Sequence, residues 1–172
     1  MEELKKAIRD VPDFPKPGIV FKDITPLLAD GKLYAKTVNA LRDRYIGKKI
    51  DVVAGIEARG FIFASGLAYA LGAGLVIIRK PRKLPYKTFS QTYSLEYGTD
   101  TIEIHQDAVK PGQNVLVIDD VLATGGTVSA AAELLKKNFR GNIVEVAFII
   151  ELDFLKGREK LQGLPIHSLI HF

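Results

Sequence analysis

An α/β fold, an open and mainly parallel twisted sheet flanked by helices, is predicted by three features of the sequence. Short apolar runs alternate with segments of helical period: DVVAG at 51–55, a helix through 61–71, then LVIIR at 75–79. The second half repeats the order, with VLVID at 115–119, a helix from about Thr127 to Lys137, and IVEVAFII at 143–150. These runs are continuous rather than alternating, the pattern of strands buried on both faces of a parallel sheet.

The remaining elements follow in chain order. Residues 2–9 read as a short helix, ended by VPDFPKPG at 11–18, where fixed φ angles and missing N–H groups break regular structure. Residues 14–26 offer a rigid turn and a short strand. After Asp30 and Gly31 a helix is expected, since Tyr34, Val38, Leu41 and Tyr45 recur at helical spacing with charges opposite. Residues 80–97 carry neither apolar period and read as a lid or binding loop, whereas TIEIH at 101–105 alternates as a strand with one buried face. His167 and His171 fall in a C-terminal strand, where four residues span roughly 13 Å, too far for one metal ion unless the chain folds back.

With 172 residues, the chain is expected to form a single domain spanning 1–172. The absence of Cys excludes disulfides, thiolate zinc sites and a cysteine nucleophile, and fits a reducing compartment. MEELKKAIRD at 1–10 lacks the apolar core of a secretion signal, and no apolar run reaches bilayer-spanning length, so a cytoplasmic protein with no membrane partner is expected. The net charge of +4 suits a solvated surface or a site for an anionic small molecule. Without a long basic block or basic-aromatic interleaving, no nucleic-acid partner is expected.

The most informative stretch is VLVIDDVLATGGT at 115–127, a buried strand ending in two acids, then a small-residue loop, then a helix. Ligands of open parallel sheets sit at the carboxyl ends of strands, which is where Asp119 and Asp120 fall. Thr124, Gly125, Gly126 and Thr127, following Ala123, lie where backbone N–H groups converge at a helix start, and glycines let that backbone approach a phosphate. The lysine of a Walker loop is missing. Two adjacent carboxylates would repel a phosphate, but they suit ribose hydroxyls or a hydrated Mg²⁺. An isolated pair of acids would more simply cap a turn; a cap, however, does not require the glycines.

This motif resembles the phosphoribosyl diphosphate signature of the type I phosphoribosyltransferases. The resemblance implies that Asp119 and Asp120 contact the ribose hydroxyls while residues 123–127 wrap the 5-phosphate. GIEARG at 55–60 is a second strand-to-helix junction and resembles the diphosphate loop of that family, assigning Glu57, Ala58 and Arg59 to the diphosphate. Arg79, Lys80 and Lys83 add positive charge after the neighbouring strand, which suits a diphosphate leaving group and equally a solvated basic loop.

FPKPGIVFKDITP at 14–26, SLEYG at 94–98 and LKGREKL at 155–161 resemble the adenine phosphoribosyltransferases in particular, and the similarity runs from about Asp10 to the end. It implies that Val20 and Lys22 meet adenine through backbone groups and that Phe21 and Leu152 sandwich its ring, residues that would otherwise read as ordinary core. It further implies a small hood over the active site, formed by the N-terminal segment and the loop around 80–100. In that hood Glu96 would manage the base's proton and Tyr97 would belong to the lid. Mg²⁺ would arrive with 5-phosphoribosyl 1-diphosphate rather than through side-chain ligands, and the family suggests a homodimer. The expected reaction joins adenine to 5-phosphoribosyl 1-diphosphate, giving AMP and diphosphate. A transferase for hypoxanthine or xanthine, or a regulator that keeps the site as a sensor, remain the rival readings.

Overall fold

The computed structural model describes residues 1–94 and 98–172. Helix α1 (Glu2–Lys6) leads into strand β1 (Arg9–Pro12), which pairs antiparallel with β2 (Val20–Asp23), Asp10 lying opposite Lys22. The helix expected over 2–9 is thus shorter. Its last residues are claimed by a partner strand and by the Arg9–Asp23 ion pair at 2.6 Å, which no local pattern announces. After α2 (Thr25–Ala29), α3 (Gly31–Tyr45) starts where the Asp30 carboxylate accepts the N–H groups of Lys32 at 2.9 Å and Leu33 at 3.2 Å. It buries Val38, Leu41 and Tyr45, the stripe read from the sequence.

Next come β3 (Val52–Ile56), α4 (Gly60–Leu71), β4 (Gly74–Ile78), β5 (Thr88–Ser94), β6 (Thr99–His105), β7 (Asn114–Leu122), α5 (Gly126–Phe139) and β8 (Asn142–Glu151). Two 3₁₀ turns, Asp153–Leu155 and Gly157–Leu161, precede β9 (Ile166–His171). Five strands form one parallel sheet in the order β4-β3-β7-β8-β9. Alternate residues of each strand feed two cores. Val115, Val117, Val146 and Phe148 pack with α5, and Leu116, Ile118, Ala147 and Ile149 with α3 and α4. This two-sided burial is why the strands read as unbroken apolar runs.

The loop expected over 80–97 needs correction. Residues 88–94 are strand β5, paired antiparallel with β6 from Thr88 opposite His105 to Ser94 opposite Thr99. Phe89 and Tyr93 turn inward against the α5 side of the core, Phe89 edge-on to Phe139 at 5.6 Å. The alternation of TFSQTYS was therefore present, but only two of its inward residues are large and apolar or aromatic. Among the described residues, no helix is long and apolar enough to cross a membrane.

Away from the carboxyl edge, Glu145 near the start of β8 is buried and accepts two bonds from Arg44 at 2.7 Å and one from the Tyr45 hydroxyl at 2.6 Å. Burial pushes this carboxyl up, but Arg44 and Tyr45 more than offset it and hold the group below its ordinary value. Tyr45→Phe removes one bond to a buried carboxylate and is expected to cost about 1.5–3 kcal/mol in urea unfolding at pH 7. Because folded Glu145 is the stronger acid, its contribution is complete above the unfolded carboxylate value and fades as pH falls through the folded one. The gap between the two proteins should therefore narrow in acid.

Candidate active site

The chain runs from β3 outward to β4 on one side of the sheet, and from β7 through β8 to β9 on the other. Strand order reverses between β3 and β7, the position where open parallel sheets hold ligands beyond their carboxyl ends. A cleft of about 480 Å³ opens there. It is lined by Glu57, Ala58 and Arg59 after β3, Lys80 after β4, and Asp119 to Val121, Ala123 and Thr127 at and after the end of β7; Ile19 to Lys22 and Leu152 complete it.

Asp119 and Asp120 end the buried run of β7. The Asp120 N–H donates to the Asp119 carboxylate at 2.9 Å, and the Arg59 guanidinium donates to Asp120. Burial pushes the Asp119 carboxyl well up, and the neighbouring Asp120 pushes it further, the penalty of packing two like charges at one strand end. Helix α4 presses close from behind. A Cβ on Gly60 would lie 2.9 Å from Asp119 Oδ1 and 3.1 Å from the Ile118 carbonyl oxygen, so only glycine fits at that helix start.

Beside the acids, residues 123–127 form a small cup of about 70 Å³ shared with Asp119, Val121, Leu122 and Val128. The cup sits at the N-terminus of α5, where the first backbone N–H groups have no partner within the helix and the helix dipole favours an anion. Gly125 holds φ +78°, a left-handed conformation that other L residues resist, whereas Gly126 has only ordinary contact distances to Tyr93. The Thr127 hydroxyl meets the Tyr93 hydroxyl at 3.0 Å.

On the β4 side, Lys80 pairs with Asp100, and Tyr93 donates to the same carboxylate at 3.1 Å. Burial works against the Lys80 charge, yet Asp100 and Tyr93 hold its ammonium above the ordinary value. Arg79 does not line the cleft; it binds Glu57 at 3.0 Å and reaches the Lys83 carbonyl oxygen at 3.2 Å. Arg79 holds the Glu57 carboxyl below its usual range against burial, with help from the Lys80 N–H at 2.8 Å. Lys83 is exposed and also outside the cleft lining.

The opposite wall comes from β2, which has β1 on one side and, among the described residues, no strand on the other. Lys22, one of the lining residues, turns its ammonium to Asp10 at 2.6 Å and over the Phe172 ring at 4.0 Å. Phe21 packs edge-on against Phe14 at 5.2 Å and lies under the Arg59 guanidinium at 5.1 Å. Phe21 and Leu152 both line this cleft. Glu96 and Tyr97 lie outside the described residues.

Sequence reasoning missed Ile19 and Val121 as walls and Tyr93 and Asp100 as the link between Lys80 and Thr127. Recognising the β5 alternation would have pointed to Tyr93. His171 does meet two acids, Asp153 at 2.9 Å and Glu151 at 3.8 Å, but Glu151 is already occupied by Arg158 and Ser168.

A parallel α/β sheet here carries an acid pair and the open N-terminus of a helix side by side at its strand-order reversal. Residues 23–164 match the phosphoribosyl transferase domain family, and the chain belongs to it. It is 60% identical over 172 residues, the full length of both chains, to the adenine phosphoribosyltransferase of Syntrophotalea carbinolica. Its structure is similar to the crystal structure of the Thermoanaerobacter pseudethanolicus enzyme of that name, with TM-score 0.96, 53% identity and 99% of each chain covered. The Saccharomyces cerevisiae enzyme, solved with an imino-altritol bisphosphate and adenine, aligns at TM-score 0.92 and 43% identity over 98% of this chain and 97% of its own.

The crowded acid pair makes a stability prediction. Folded Asp119 is the weaker acid, so its unfavourable contribution grows as pH rises above the unfolded carboxylate value. Asp119→Asn keeps an acceptor for the Asp120 N–H and should stabilise the protein at pH 7 by about 1 kcal/mol, a typical substitution magnitude with the sign reversed. Urea unfolding checks this, and the gain should vanish near pH 3.

Proposed function

We propose that the chain is an adenine phosphoribosyltransferase, transferring 5-phosphoribosyl from 5-phosphoribosyl 1-diphosphate to adenine to give AMP and diphosphate in purine salvage. The observation that carries this reading is the cleft at the strand-order reversal, which the acid pair, Ala123 and Thr127 share with Val20, Phe21 and Lys22 of β2. The sugar analogue and adenine bound together by the yeast relative support the same pairing of subsites.

Residues 123–127 hold the 5-phosphate on the start of α5, and Asp119 and Asp120 take the ribose hydroxyls. Glu57, Ala58, Arg59 and Lys80 frame the diphosphate, with Arg79 and Lys83 adding positive field at the rim. Bond breaking between C1 and the diphosphate oxygen leaves positive charge on the ribose, which the acid pair stabilises electrostatically, while diphosphate departs with the electron pair. N9 of adenine forms the new bond to C1 and loses its proton, a task we assign to Glu96, with Tyr97 in the lid over the reacting centre. Alignment on fixed walls supplies much of the remaining rate.

Backbone groups of Val20 and Lys22 read the base edge, and Phe21 and Leu152 hold its faces. A backbone C=O toward the 6-amino group and an N–H toward N1 accept adenine, whereas a 6-oxopurine leaves both unpaired. Two carboxylates beside a phosphate subsite are a donor set that suits Mg²⁺ carried in on diphosphate oxygens, with Asp119 and Asp120 near its water shell. Bound there, the ion would neutralise leaving-group charge. The whole chain, including a hood made of the N-terminal segment and the stretch around 80–100, acts as one cytoplasmic catalytic unit. Exposed Ile62 and Tyr69 on α4 and Leu75 on the edge strand β4 support a homodimer.

Incubation with 5-phosphoribosyl 1-diphosphate, Mg²⁺ and four purine bases in turn is expected to yield AMP from adenine, with hypoxanthine, guanine and xanthine disfavoured by as much as about 10⁴-fold. Faster conversion of a 6-oxopurine would overturn the base assignment. Replacing both acids, Asp119→Asn with Asp120→Asn, should lower kcat by roughly 10²–10³. Glu96→Gln should slow the single-turnover rate by about 10²–10⁴ with little change in AMP affinity. An unaltered rate would remove Glu96 from the chemistry.

A further inference from the structure

The LKGREKL segment at 155–161 has no part in the reaction as assigned above, and Gly157 and Arg158 line neither the cleft nor the cup. Its position is nevertheless specific. Gly157 is buried directly behind the phosphate loop, where a Cβ would overlap the Ala123 carbonyl oxygen and come within 2.8 Å of Leu122 Cδ1. Conversely, a Cβ on Gly125 would overlap the Gly157 carbonyl oxygen and lie 3.4 Å from Lys160 Cβ. Two backbones therefore touch with no side chain between them, and the contact falls on Ala123 and Gly125, two residues of the cup itself.

An ion pair holds this segment in place. Arg158 donates through Nε and Nη2 to both Glu151 oxygens at 2.6 and 2.7 Å, and the Ser168 hydroxyl donates to Oε2 at 2.6 Å. Glu151 is only 4% exposed and ends β8, opposite Leu122 on β7 and His171 on β9. Leu161, 1% exposed, anchors the far end of the segment in the core beside α5. A buried ion pair is a weak way to stabilise a fold, but a bidentate fork fixes direction. The same residue sets the next one: the Leu152 N–H donates to the Leu122 carbonyl at 3.0 Å and the Asp153 N–H to the Phe172 carbonyl at 2.9 Å.

We propose that Gly157 and the Glu151–Arg158 pair are positioning residues of the 5-phosphate subsite, which brace the loop at 123–127 from behind and tie its shape to the base wall at Leu152. This rests on the reading of residues 123–127 as the phosphate site. Any side chain at position 157 pushes Ala123 and Gly125 away, so the N–H groups of the cup no longer converge. Loosening Arg158 frees the brace without adding bulk.

Calorimetric binding of ribose 5-phosphate to the full chain reads the subsite without turnover. Gly157→Ala is expected to weaken binding at least tenfold, toward the roughly 10²-fold that a 1 Å misplacement can cost. KM for 5-phosphoribosyl 1-diphosphate should rise in step, with KM for adenine less affected. Arg158→Lys keeps the charge and loses the fork. Because that side chain is 45% exposed, the variant should fold and show the same bias in smaller measure, which keeps the proposal open to refutation if Gly157→Ala does not fold. Unchanged ribose 5-phosphate affinity in a folded variant, or equal losses for both substrates, would overturn the brace. Failure of the unaltered chain to bind ribose 5-phosphate would overturn the phosphate-site reading itself, and the brace with it.

Discussion

Parallel pairing of β3 with β7, in register from Val52 with Val115 to Gly55 with Ile118, places two strand ends side by side that local sequence keeps far apart. Both strands are wholly buried there, so a shift by one residue would turn Val53 and Leu116 into the wrong core. The register thereby fixes which residues emerge at the carboxyl edge. Gly60 lets α4 start against Ile118 and Asp119, and Arg59, one residue earlier, then falls onto Asp120. The placing of Arg59 against the acid pair descends from that adjacency.

The site gathers charges that a folding chain would otherwise keep apart. Two carboxylates share one strand end, and the cations within reach are each given a partner: Arg59 with Asp120, Arg79 with Glu57, Lys80 with Asp100. These pairs balance the three cations with carboxylates and leave Asp119 outside the pairing. The arrangement leaves Asp119 as the carboxyl whose environment most disfavours ionisation, and substrate hydroxyls or a hydrated cation are the groups that would relieve it.

Rigidity is distributed unequally around the cleft. The loop at 123–127 has α5 in front and the Gly157 backbone behind, with the Glu151 fork closing the end of β8. The β2 side is lighter: β1 and β2 form a two-stranded sheet, and Phe21 is held by Phe14 and Arg59 rather than by deep core.

Much of this was legible in the sequence, because apolar runs, glycines at strand-to-helix junctions and the DDVLATGGT order are local signals. They determined the parallel α/β class, the places of Asp119, Asp120 and residues 123–127, and the resemblance that named the reaction. Other features were set by partners distant in sequence. Strand β1 exists because β2 lies beside it, and Arg79 faces Glu57 rather than the cleft because β3 and β4 are neighbours. The demand for glycine at 157 arises only where its backbone meets Ala123. Hydrophobic period and turn chemistry act within a few residues and can be read along the chain, whereas ion pairing and steric exclusion act across space, and only the folded packing of the sheet decided them.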